Sequence, residues 1–125
     1  MDRTKLQQFL TRQTSRVWLR LGESYPELLK FDPPKIKLSG RMWRTAGWCK
    51  QEENTVELGF KFFLANPDYY NQMITVILPH EIIHQADYNL FGESEKKCGH
   101  GKNWRAIMIA YGLPPHEFHS MEISR

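Results

Sequence analysis

His80-Glu81-Ile82-Ile83-His84 is the only H-E-x-x-H in the chain, and it falls in a stretch whose apolar residues recur at helical spacing. On an α-helix, positions i and i+4 project from one face, so two imidazoles can grip one metal ion. Glu81 is turned about 100° around the axis, which sets it beside that ion, within reach of a proton on bound water. Neutral nitrogen ligands suit Zn²⁺, and a coordination position left to water makes a zinc site hydrolytic. The five residues therefore predict a zinc hydrolase, most simply a peptidase, built around a metal-bearing helix. With five histidines in the chain, a chance match is expected in roughly 1–2% of shuffled sequences, so chance explains the motif poorly.

A zinc hydrolase usually takes three protein ligands, and several candidates lie downstream. His100 stands between Gly99 and Gly101, in a loop able to turn back toward the helix. It is the best placed, with enough chain after His84 for a helix end and a return. Metzincin spacing fails, because the positions three and six after His84 hold Asp87 and Leu90. Asp87 shares the histidines' face one turn on, as a ligand, an acceptor for an imidazole N–H, or a plain solvated residue. Glu93 and Glu95 sit among Lys96 and Lys97, which favours solvation, and Cys98 could bind as a thiolate. Trp104 is expected to pack a third helix against the metal helix and steady His100.

The 125-residue length predicts a single domain over residues 1–125. Hydrophobic residues make up 41%, enough to argue against disorder. Cys49 and Cys98 form no C-x-x-C pair, so neither a zinc ribbon nor a disulfide framework is expected. The N-terminus has no continuous apolar core of a secretory signal, and no stretch is long and apolar enough for a membrane span. The expectation is a cytoplasmic protein without a membrane partner. Net charge is +3, but residues 1–50 carry +7 and residues 51–125 carry −4. A basic half suggests a polyanion such as DNA. Arg41, Trp43, Arg44 and Trp48 are the candidate DNA-binding cluster, since aromatics stack on bases while arginines neutralise phosphates. The competing reading is a tryptophan core edged by exposed arginines.

Around the motif, Leu6, Phe9, Leu10, Val17, Trp18 and Leu21 predict an amphipathic helix over residues 3–21, capped by Asp2 and ended by Gly22. Residues 25–31 read as a turn with a short helical piece, broken by Pro33-Pro34. Three short strands follow, at 35–38, 46–50 and 55–58, the last two joined by a turn at 51–54, with Trp48, Val56 and Leu58 on the covered side. Phe60 to Leu64 fits a short helix or an extended segment. A second long helix is predicted over residues 69–89, with Pro79 a possible kink. A polar loop covers residues 92–103, and a third helix runs from Trp104 to Tyr111, closed by Gly112. The class is α+β: a small three-stranded sheet packed against the N-terminal and H-E-x-x-H helices.

The H-E-x-x-H followed by His100-Gly101-Lys102-Asn103-Trp104 resembles the SprT-like metallopeptidases, in which the two motifs occur together. Arg44-Thr45-Ala46-Gly47, Val56-Glu57-Leu58, Leu78-Pro79-His80-Glu81, Leu90-Phe91-Gly92 and Phe118-His119 also have look-alikes in bacterial SprT, so the resemblance covers roughly residues 35–120. It implies a zincin-like fold, with His80, His84 and His100 as zinc ligands, Glu81 as general base and a protein substrate. His119 matches a family histidine, either structural or in the site. The eukaryotic member Spartan is a DNA-dependent protease acting on DNA-crosslinked proteins, so DNA association is implied too. Two departures stand out: the stretch between His84 and His100 is a few residues longer than in bacterial SprT, and the Cys-rich zinc ribbon of many bacterial relatives has no counterpart in the sequence. The rival from another class is a non-catalytic nucleic-acid or partner-binding module with a structural zinc. Cys98 would be its fourth ligand, and Glu81 would have no clear purpose.

Overall fold

The computed structural model describes residues 2–92, 100–116 and 121–123. The first helix, α1 (Arg3–Ser24), begins where the Asp2 carboxylate accepts the Thr4 and Lys5 N–H groups at 2.9 and 3.2 Å. These are two of the donors that a helix start leaves unpaired. Its inner stripe, Leu6, Leu10, Val17, Trp18 and Leu21, is buried. The helix runs two residues past Gly22, which is no terminator. A Cβ there would meet Leu29 Cδ2 at 2.4 Å, so the missing side chain leaves room for Leu29 of the 3₁₀ turn Pro26–Lys30 to lie against α1.

The sheet contains β1 (Lys35–Ser39), β2 (Gly47–Lys50) and β3 (Thr55–Gly59) in the order β1-β3-β2. β1 runs parallel to β3 and β2 antiparallel to it. Ile36, Leu38, Val56 and Leu58 face the core. In the β2–β3 register Gly47 opposes Leu58 and Trp48 opposes Glu57, which corrects the predicted facing. Gly47 and Cys49, not Trp48, share the covered side with Leu58 and Val56. Trp48 projects outward and is 51% exposed. The cause is space: a Cβ on Gly47 would already come within 2.8 Å of Leu58 Cδ2 and 3.2 Å of Ile77 Cγ2, so no large side chain fits on that face of β2. The turn between the strands is a 3₁₀ piece, Gln51–Glu53, closed by Asn54 in the left-handed region at φ 50°.

The apolar run after β3 is helical. It forms α2 (Phe60–Ala65), followed by α3 (Pro67–Gln72), whose start is capped by the Asn66 side chain. The stretch predicted as one helix over residues 69–89 is helical and extends over residues 67–91, but not as one regular helix. A π-helical turn, Met73–Ile77, separates α3 from α4 (Leu78–Phe91). The Leu78 N–H reaches back five residues to the Met73 carbonyl. This widening lies immediately before Pro79, whose ring would otherwise press on the Thr75 carbonyl and whose missing N–H could not bond it. α5 (Lys102–Tyr111) starts two residues earlier than predicted and closes at Gly112, φ 102°. The Leu113 N–H bonds the Met108 carbonyl there, completing a Schellman-type end.

The core lies between the inner face of the sheet, α1 and α4, with α5 packed on α4 and α1. α4 is therefore enclosed, and every residue from Leu78 to Asp87 is buried. The architecture is a mixed α+β fold with a small three-stranded sheet, consistent with a zincin-like domain. Among the described residues, no helix is long and apolar enough to cross a membrane.

Candidate metal centre

Enclosing α4 puts two histidines where solvent-facing ones would not be, with His80 3% and His84 8% exposed. Their spacing of four aligns them, and the Nε2 atoms lie 3.2 Å apart. His100, just before α5, is brought against them, with its Nε2 3.1 Å from that of His84. All three ligand atoms lie within 4.8 Å of one another. Nitrogens bound to a tetrahedral zinc at its usual bond length are separated by about 3.3 Å, so the spacing fits such an ion. The chemistry fits as well. Three neutral imidazoles cannot all turn lone pairs to one point without a cation or protons between them. Among the described residues, this is the one group of His, Cys, Asp or Glu side chains able to hold an ion.

Trp104 holds the cluster from the α5 side. It is fully buried, and its ring stacks on His84 at 5.1 Å and 16°. Its centroid lies 4.9 Å from that of His80 and 4.5 Å from that of His100. The tryptophan thus touches all three imidazoles and restricts how each can rotate, more than the steadying of His100 that its spacing suggests.

Glu81 stands next to the cluster, with its Oε2 3.9 Å from His80 Nε2. Burial raises the proton affinity of its carboxyl well above the usual range. Near Glu81 is Cys49 of β2, whose thiol donates to Gln85 Oε1 at 3.3 Å. Burial first, and then the nearby Glu81 charge, push the Cys49 thiol upward, so it stays protonated and able to donate. Asp87 is buried but stands outside the nitrogen cluster. Burial raises its pKa to about 6.

The candidate DNA-binding residues fall in two places. Arg41, Trp43 and Arg44 belong to the connection between β1 and β2, where the Arg44 guanidinium lies 4.8 Å from the Trp43 ring centroid. Trp48 lies on the outer sheet face, with its indole N–H bonded to Glu57 Oε1 at 3.0 Å. Lys37 and Lys50 approach the same carboxylate at 3.6 and 3.7 Å. His119, Glu93, Glu95 and Cys98 lie outside the described residues. Gln51 and Gln85, which bond around the His84 turn, carry no motif and escape a reading by spacing. Their signal is structural: amides, that of Gln85 buried and that of Gln51 half-buried, bonded across elements.

The model of the SprT-like family matches residues 14–119, most of the chain and more than the two motifs alone span. The chain belongs to the SprT-like family. Membership points to a metallopeptidase-type domain, and the buried histidine cluster fits its metal site. No curated protein and no solved structure matches the chain.

Proposed function

We propose that this SprT-like protein is a zinc-dependent endopeptidase with His80, His84 and His100 as ligands and Glu81 as general base. The observation that carries the reading is the convergence of three buried imidazole nitrogens beside a buried carboxylate on the helix that carries two of them. Zinc, when bound, supplies Lewis acidity and lowers the pKa of water to about 7. Glu81 takes the proton released as the scissile carbonyl is attacked and delivers it to the leaving amine. Trp104 keeps the imidazoles oriented and water away from their far side.

The finer reading is that the substrates are bound or crosslinked to DNA. It is supported by the +7 balance of residues 1–50 and by the exposed Trp48 on the sheet face that carries Lys35, Lys37 and Lys50. Arg41, Trp43 and Arg44 extend the basic and aromatic composition.

The test compares wild type with Glu81→Gln for zinc content and for cleavage of a basic protein substrate, with and without single-stranded DNA. Both should bind zinc, and the variant should lose cleavage by about 10²–10⁴-fold. Zinc in both with cleavage by neither would falsify the peptidase reading. Cleavage indifferent to DNA, with no salt-dependent DNA binding, would remove the DNA association alone.

A further inference from the structure

The geometry points to Gln51 and Gln85 as positioning residues, a reciprocal clasp that sets the metal-bearing turn of α4 against the β2–β3 hairpin. Gln85 follows His84 directly and is 1% exposed. Its Nε2 donates to the Gln51 carbonyl at 3.1 Å and to Asn89 Oδ1 at 3.0 Å, and its Oε1 accepts from the Cys49 thiol. Gln51 answers with its own Nε2, which donates to the backbone carbonyl of His84 at 3.3 Å. The two glutamines therefore bond each other's segments, backbone to side chain, in both directions.

A glutamine amide offers two donor hydrogens and an acceptor oxygen, and Gln85 uses all of them. If the site needed only bulk, methionine would fill it without having to satisfy a buried amide. The partners chosen are the hairpin backbone, a strand side chain and, through Gln51, the peptide of a ligand residue. β2 is an edge strand of the sheet. The clasp thus ties that edge of the sheet to the His84 turn by polar bonds of defined direction, in addition to the packing of β2 on α4. The role is indirect: neither glutamine is among the ligand atoms. Each acts through the helix turn that aims the His84 imidazole, as outer partners of metal ligands generally do.

This inference rests on the metal-centre reading. The experiment uses the full chain as wild type, Gln85→Met and Gln51→Met. Zn²⁺ affinity is measured by chelator competition, the visible absorption of the Co²⁺-substituted protein is recorded, and thermal unfolding of the metal-free protein is followed. Each variant should bind Zn²⁺ about tenfold more weakly and show a changed Co²⁺ band. Gln51 is only half-buried, so the metal-free Gln51→Met protein should unfold within a few degrees of wild type, which keeps the test valid if Gln85→Met folds poorly. Wild-type affinity and an unchanged Co²⁺ spectrum in Gln51→Met overturn the clasp and leave the metal centre standing. Failure of the wild type to bind either ion overturns the metal centre, and the clasp with it.

Discussion

Asp87 shows how much a single position can carry besides the chemistry. It lies one turn beyond His84 on the same helix and is buried, yet it stands outside the ligand cluster. Burial lifts its pKa from 3.8 to about 6, which means that the folded protein holds this proton more tightly than the unfolded chain does. The stability that goes with protonation is fully present below about pH 4 and is lost as pH rises to about 6. Above that, a buried charge is carried at a cost on the order of 1 kcal/mol, once solvent screening is allowed for. Asp87→Asn removes the cost. Urea unfolding of the metal-free proteins should show the variant more stable than wild type at pH 7.5 by about that amount, with the gap closing at pH 4. A gap independent of pH would mean that the carboxyl does not titrate in this window.

At the scale of elements, β2 separates what composition can tell from what pairing decides. Alternation located all three strands and the hairpin to within a residue, because that signal is local. It did not say which of the two alternating sets in β2 faces inward. A tryptophan in a short strand looks like a core residue, yet the inward set here is Gly47 and Cys49, because Leu58 and Ile77 already fill the space. The clue lay in the glycine, which marks a close approach. The parallel pairing of β1 with β3 was likewise out of reach, since it joins segments that are distant in sequence. The helices were more legible, and even the irregularity before His80 was signalled by Pro79, although its form as a π turn was not. Two of the crowded glycines should respond differently. Gly47→Ala would drive a Cβ against buried Leu58 and the Glu57 carbonyl, at 2.8 and 3.3 Å, and should cost about 1–3 kcal/mol. Gly22→Ala meets Leu29, which is half exposed and can swing aside. The helix gains back roughly 0.5–1 kcal/mol from losing a glycine, so the net change should be close to zero. Denaturant midpoints for the two variants check the ordering, and equal losses would contradict it.

Over the whole molecule, the candidate centre joins parts that the chain keeps separate. His80 and His84 come from the buried part of α4, while His100 arrives 16 residues later with α5. The pair of histidines was legible from spacing on one helix. The third candidate, His100, was not fixed by spacing, because a loop return depends on where α5 packs, and there Trp104 lies against all three imidazoles. An ion held by all three would bind the folded arrangement and not the unfolded chain, so it must add to stability by mass action. At a free zinc concentration 100 times the dissociation constant the gain is about 2.7 kcal/mol, which for a domain of this size raises the melting temperature by roughly 10 °C. The ligands must be neutral to bind, so protonation of the histidines competes, and the shift should be large at pH 7.5 and small at pH 5. His100→Ala removes one nitrogen and leaves α4 intact. At the same free zinc it should lose most of the shift while its midpoint in chelator stays close to wild type. Calorimetric scans of both proteins, with zinc and with chelator at the two pH values, give the answer. A zinc-induced shift in His100→Ala equal to that of the wild type would show that His100 is not a ligand, and that α4 binds the ion without the segment leading into α5.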